Sequence, residues 1–255
     1  MTANTMKKNF EIPESYRLII DFGNTLVKIA IFKDDEMLEV KAAPEFDQDL
    51  VREMITKFPA HHAIVSSVIE TPDEALKFLG QHFKLTILSH TTPIPITNLY
   101  KTPETLGRDR LAVAVAASQL FPDEPSLIID AGTCITFDFT DAAGNYHGGG
   151  ISPGINMRFK ALHTFTQRLP LVKHQNFDGL SGASTKESIL SGVLNGVVAE
   201  FEGIIGEYEK RYSGLKVLIT GGDAKFFAKK LKSNIFAVPN LVLKGLNEIL
   251  NFNVR

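Results

Sequence analysis

A single cysteine, Cys134, occurs in 255 residues. One thiol excludes an intrachain disulfide and any zinc site built from several cysteines. The seven histidines are scattered, and the His61-His62 pair has no cysteine or acid beside it, so no metal cluster is visible in the sequence. An excess of basic charge is missing too. The net charge of −2 argues against a protein that grips nucleic acid through a broad positive field. The opening stretch MTANTMKKNFEIPESY has no apolar core of the signal-peptide kind, and no later apolar run is expected to span a bilayer. The expectation is a soluble, cytoplasmic protein with neither a membrane nor a nucleic-acid partner. Low-complexity runs and coiled-coil heptads are also lacking. Residues 1–16 read as a loose polar extension.

What is present is ordinary globular material, 44% hydrophobic and 22% charged, enough for a sizeable core in one large or two modest domains. The chain is organised around a repeated stretch. Leu18-Ile19-Ile20 ends in Asp21-Phe22-Gly23-Asn24-Thr25, and Leu127-Ile128-Ile129 ends in Asp130-Ala131-Gly132-Thr133. Each time a buried-looking strand closes on an acid, one residue, a glycine and a small polar side chain. Glycine lets backbone N–H groups approach a ligand closely. Asn24, Thr25 and Thr133 can donate to phosphate oxygens, and Asp21 or Asp130 can hold a cation. Taken singly, each copy also reads as an ordinary β-turn; it is the pairing that favours a nucleotide site.

Both stretches run from strand into strand. Val27, Ile29 and Ile31 alternate with Lys28, Ala30 and Phe32, so GNTL is a hairpin bend rather than the strand-to-helix loop of a Walker or Rossmann motif. Lys28, just past the bend, reads equally as a phosphate-directed ammonium and as a solvated lysine. A strand over 36–40, a helix over 46–58, a strand over 63–68, a helix capped by Thr71 with Pro72 at its first position, and a strand over 85–88 follow. Gly107-Arg108-Asp109-Arg110 then leads into an alanine-rich helix that reads as buried. Two arginines around an acid at a helix start suit an anionic ligand, with Asp109 a candidate base, or are simply solvated charges on a capped helix. Tyr100, before it, is a surface aromatic or a pocket wall.

After the breaker FPDEPS the plan repeats, with strands near 127–130, 135–139 and 146–151. The glycines at 148–150 and Gly154 imply either close backbone approach to something or a tight bend. A helix over 157–165 places Phe159, Leu162 and Phe165 at spacing three. Thr185, either a cap or a pocket hydroxyl, opens a long helix to Arg211, and Gly221-Gly222-Asp223 suits contact with the flat or sugar part of a nucleotide. A closing helix covers 241–250. The expected fold is α/β with two lobes, residues 17–121 and 122–255, each a mixed sheet flanked by helices. Whether the last helix packs back on the first lobe is open.

These residues carry a resemblance. D-x-G-N-T-x-x-K at Asp21 to Lys28, the Tyr100 loop with G-x-D-R at Gly107 to Arg110, D-A-G-T at Asp130 to Thr133, G-G-x-I-x-P-G at Gly148 to Gly154 and the Thr185 loop are, in this order, similar to the type III pantothenate kinases. The resemblance covers about 17–250. It implies two ribonuclease-H-like lobes of the actin-like ATPase kind, with ATP between them. It also implies ATP contacts from Asp21, Gly23, Asn24, Thr25, Lys28 and Thr133, and a monovalent cation, K⁺ or NH4⁺, at Asp130. Pantothenate would meet Tyr100, Gly107, Arg108, Asp109, Arg110 and Thr185, with Asp109 as proton acceptor and Mg²⁺ near Asp21. The family is dimeric, its acceptor pocket completed by the partner. Cys134 is left to packing. The rival readings are a sugar kinase of the same superfamily and a nucleotide-binding regulator without turnover.

Overall fold

The computed structural model describes residues 16–254; the expected loose extension lies, but for Tyr16, outside them. Tyr16 itself opens β1 (Tyr16–Phe22), which continues antiparallel into β2 (Val27–Lys33) and β3 (Glu36–Ala43). Next come α1 (Gln48–Lys57), β4 (His62–Ser67), α2 (Asp73–His82) and β5 (Lys84–Ile87), then the two-residue β6 (Thr97–Asn98) and α3 (Arg108–Leu120). The second half runs β7 (Ser126–Ala131), β8 (Cys134–Thr140), β9 (Asn145–Pro153), α4 (Ile155–Thr164), α5 (Thr185–Arg211), β10 (Lys216–Thr220), α6 (Ala224–Lys230), β11 (Phe236–Ala237) and α7 (Leu241–Val254).

The sheets repeat one plan. The first has the order β3-β2-β1-β4-β5, and the second matches it as β9-β8-β7-β10-β11, with β6 added outside β9. In each, an antiparallel meander is extended by parallel strands beside its first member, β4 beside β1 and β10 beside β7. The central strands carry continuous apolar runs, Leu18-Ile19-Ile20 and Leu127-Ile128-Ile129, because helices cover both of their faces. Leu18, Ile20 and Phe22 pack with Val51, Met54 and Phe78 of α1 and α2, whereas Ile19 faces α3 and α7. In the second sheet Leu127 and Ile129 pack under α5 and α6, and Ile128 turns toward α3.

Helices α3 and α7 fill the space between the sheets, which explains the all-round apolar character of α3. Its Leu111, Ala112, Ala114 and Val115 pack with Leu243, Leu246, Ile249 and Leu250 of α7 against the first sheet. Its Val113, Ala116 and Ala117 meet Ile128 and Leu218 of the second. At about 1.5–3 kcal/mol for each large aliphatic side chain buried, these contacts hold the halves together. The crossing is tight: a Cβ on Gly245 would lie 1.8 Å from the Ala112 carbonyl oxygen. Arg17 anchors α7 from below, donating to Asn247 Oδ1 and Asn251 Oδ1, each at 3.2 Å.

Four local expectations are corrected. Pro72, not Thr71, is the N-cap of α2, with no side-chain cap bond, and Asp73 is the first helical residue. The α3 helix begins at Arg108, so the arginines belong to its first turn instead of preceding it. Phe165 lies past the end of α4 and is 86% exposed, so the spacing-three pattern breaks at its third member. Finally, α5 is long and apolar enough to cross a membrane by length and composition, contrary to the expectation of no such run. In this fold α5 is a core helix, with Leu190, Val197, Phe201 and Ile205 buried against the second sheet.

Candidate active site

The two hairpin bends face each other across a cleft of about 620 Å³, a size suited to a small-molecule ligand. The first bend is closed by Gly23 N–H donating to the Leu26 carbonyl at 3.1 Å, the second by Gly132 N–H to the Cys134 carbonyl at 3.0 Å. Antiparallel register sets Lys28 opposite Asp21, and Thr136 opposite Asp130. The Thr25 and Thr133 hydroxyls meet at 3.0 Å. Asp21, Gly23, Asn24, Thr25, Lys28, Asp109, Asp130 and Thr133 all line the cleft. The fold brings these expected residues together because both central strands end at the same gap.

Three carboxylates converge here. Burial pushes the Asp21 carboxyl up to about 6, with the Asp109 charge adding to it and Lys28 opposing. Burial likewise pushes Asp130 up to about 7, again with Asp109 adding and Lys28 opposing. Asp109 is raised by burial and partly restored by the Arg110 backbone N–H and charge. The Asp21 Oδ1 atom is buried without a hydrogen-bond partner among the described residues. A recessed carboxylate with an unpartnered oxygen, as at Asp21, fits a cation whose remaining ligands are phosphate oxygens and water. Among the described residues no group of three or more His, Cys, Asp or Glu is arranged to hold a metal alone.

The four residues of G-x-D-R do different things. Only Asp109 lines the cleft. Arg108 turns back on its own loop, donating through Nη1 to the Leu106 carbonyl at 2.8 Å and the Pro103 carbonyl at 3.3 Å. Gly107 leaves room for the Asp109 carboxylate, which a Cβ there would meet at 2.6 Å. Arg110 is not a solvated charge. It is 4% exposed and donates through Nε to Asp138 Oδ1 at 2.9 Å, while its guanidinium sits 5.8 Å from the Tyr100 ring centroid. Tyr100 in turn stacks on Tyr146 at 6.3 Å.

Thr185 is the first residue of α5, exposed and outside the cleft; Ser184 is the cap, accepting from Glu187 N–H at 3.3 Å. The close approach implied by the glycines is intramolecular. Gly154 N–H donates to the Thr133 carbonyl at 3.1 Å, and a Cβ there would lie 2.3 Å from the Gly132 oxygen, so this glycine seats the second bend. Gly221, Gly222 and Asp223 line the cleft as anticipated. Sequence reasoning missed Asn156, Met157 and Lys160 of α4 and the start of α7, Leu241 to Leu243, all of which line it. Cys134, left to packing, lines it too. The α4 signal was available in principle, since a helix following Gly154 must start beside the second bend.

The sequence model for the type III pantothenate kinases matches residues 17–207. A type III pantothenate kinase from Phocaeicola vulgatus is 48% identical over 237 residues, covering 92% of this chain and 98% of that protein. One from Bacteroides fragilis strain ATCC 25285 is 47% identical over 240 residues, with the same coverage. Among solved structures, a Campylobacter jejuni protein described as a Baf family transcriptional activator aligns with TM-score 0.60 at 21% identity, covering 92% of this chain and 98% of that one. A 2-dehydro-3-deoxygalactonokinase protein from Sinorhizobium meliloti aligns with TM-score 0.53 at 14% identity, covering 93% and 99%. At such identities these structures speak to the fold alone, which is the two-lobed fold of actin-like ATPases and sugar kinases.

Proposed function

The chain belongs to the type III pantothenate kinase family, and from that premise we propose how its residues divide the work of phosphoryl transfer. The activity is ATP-dependent phosphorylation of pantothenate to 4'-phosphopantothenate, in coenzyme A biosynthesis. Such a reaction asks the protein for alignment and for neutralisation of charge spread over the transferred phosphoryl oxygens. The observation that carries our assignment is the convergence of both hairpin bends and Asp109 on one cleft.

Gly23, Asn24, Thr25 and Thr133 bind the ATP phosphates, with Lys28 supplying positive charge beside Asp21. Asp21 would hold Mg²⁺, and Asp130 a monovalent cation, K⁺ or NH4⁺. These ions would supply electrostatic neutralisation of the phosphates. Asp109 accepts the proton of the attacking pantothenate hydroxyl. Burial raises its proton affinity toward the range a base needs. Gly221 to Asp223 receive the nucleoside.

Tyr100, Gly107, Arg108, Arg110 and Thr185 form the acceptor side. Arg108 acts by shaping the loop, and the pantothenate carboxylate goes to Arg110 or to an arginine of a partner subunit. The exposure of Thr185 away from the cleft supports a homodimer in which a second copy completes the acceptor pocket. Exposed Ile151, Phe165 and Leu180 supply apolar surface for that contact. The cytoplasm, where ATP and Mg²⁺ are held, is the working compartment.

The test is ADP release from Mg²⁺-ATP with pantothenate, in K⁺ and then with Na⁺ in its place. Release that needs pantothenate and K⁺ together supports the cation role of Asp130. Release in either salt removes that role. Release with glucose or N-acetylmannosamine but not pantothenate overturns the acceptor assignment.

A further inference from the structure

A carboxylate outside the cleft lies behind Asp109. Asp138 of β8 is 0% exposed. Its Oδ1 accepts from Arg110 Nε at 2.9 Å and from the Tyr146 hydroxyl at 2.7 Å, and Arg110 Nη2 lies 2.8 Å from the same oxygen. Arg110 adjoins Asp109 in the first turn of α3, whereas Asp138 and Tyr146 belong to the second sheet. The edge contact of β6 brings a further group to the cluster. Leu99 N–H donates to the Tyr146 carbonyl at 2.9 Å, which sets Tyr100 over Arg110.

Stability alone is a weak reason for such a cluster, because a buried ion pair is often no better than an apolar replacement. Its effect on Arg110 is a stronger one. A guanidinium free to turn toward the cleft would pair with the adjacent Asp109 carboxylate, lower its proton affinity and pull it out of line. We infer that Asp138, supported by Tyr146, is a positioning residue for phosphoryl transfer. It holds the Arg110 guanidinium away from Asp109, so that Asp109 stays aimed into the cleft and basic. This rests on the reading of Asp109 as the proton acceptor.

The other charges that share the cleft with Asp109 are Asp21 of β1, Lys28 of β2, Asp130 of β7, Lys160 of α4 and Asp223 beside α6. Of these, Asp130 feels the Asp138 charge, which adds to the rise of its own carboxyl. Arg110 is the cation whose placement Asp138 governs.

The experiment measures kcat, KM for both substrates and the pH profile of kcat/KM for pantothenate on the full chain and on Asp138→Asn, Tyr146→Phe and Asp109→Asn. Asp138→Asn is expected to lower kcat on the order of 10–100-fold, the scale of a small misplacement of a reacting group. KM for ATP should be unchanged, and the acid limb should move to lower pH as Arg110 approaches Asp109. Tyr146→Phe keeps every charge and should shift both quantities in the same direction by less, which preserves the test if Asp138→Asn does not fold. A wild-type kcat and an unmoved acid limb overturn the inference, as does activity lost only in proportion to folded protein. If Asp109→Asn is inactive while the other two are normal, positioning alone falls. If Asp109→Asn keeps full turnover, the proton-acceptor reading falls and the inference with it.

Discussion

The Thr25 and Thr133 hydroxyls, 3.0 Å apart, join bends from the two halves of a repeated plan. Each bend ends the central strand of its own sheet, so this contact is where the two sheets come closest to sharing one ligand. A phosphate placed between the bends would take both hydroxyls as donors in place of their bond to each other.

Thr25→Val and Thr133→Val should each weaken ATP binding about 10–100-fold, the usual loss of a hydrogen bond to a charged group. The pair should be non-additive, since each variant strands the other's hydroxyl. Titration calorimetry on both singles and the double checks this; strict additivity would show that the hydroxyls do not act on the same phosphate.

Asp109→Asn should cut kcat by roughly 10²–10⁴-fold, the contribution of a positioned base, with ATP affinity nearly intact. Steady-state kinetics beside equilibrium ATP binding separates the two. Turnover at the wild-type rate would remove Asp109 from the proton path.

Stability should fall between about pH 4 and 7 on account of Asp21 and Asp130. Their native carboxyls are pushed up to about 6 and 7 from an ordinary 3.8, so in this window the native chain holds protons that the unfolded chain has released. The stability they contribute is present below the unfolded value and is lost as pH rises through the native one. Calorimetric Tm of the ligand-free protein should decline across the window, and less steeply in Asp130→Asn. K⁺ with Mg²⁺-ATP should raise Tm more at pH 8 than at pH 5. An Asp130→Asn slope equal to wild type would sink the claim for Asp130.

Gly154→Ala should displace the second bend. The new Cβ would lie 2.3 Å from the Gly132 oxygen and 2.4 Å from the Thr133 oxygen, both backbone atoms. Overpacking of this kind costs about 1–3 kcal/mol. KM for ATP should rise together with a lower Tm. Gly245→Ala, at the crossing of α3 and α7, should lower Tm by a similar amount but leave KM for ATP near its original value. If Gly154→Ala also leaves KM for ATP unmoved, the seating role of Gly154 is wrong.

Most helices and strands were legible because their apolar periods are strong. Thr185 to Arg211 is a helix with the bounds its fourfold spacing suggests. The two-residue strands β6 and β11 were not legible, since two residues carry no period and their pairing partners lie far along the chain. The cap at Ser184 in place of Thr185 was a choice between adjacent hydroxyls that local pattern does not resolve.

The family resemblance, not the tetrapeptide itself, singles out Asp109 as a candidate base. The sequence by itself determined the repeated strand-bend-strand plan and marked Asp21 to Lys28 and Asp130 to Thr133 as candidate phosphate contacts. These are local, because strand alternation and turn chemistry are written in neighbouring residues. Only the tertiary structure decided which charges face the cleft. In Arg108-Asp109-Arg110 the three side chains go to a loop carbonyl, the cleft and a buried carboxylate on the other sheet. That division depends on Asp138, 28 residues further along, and on the packing of α3 between two sheets. A charge goes to whichever partner the fold leaves unsolvated beside it.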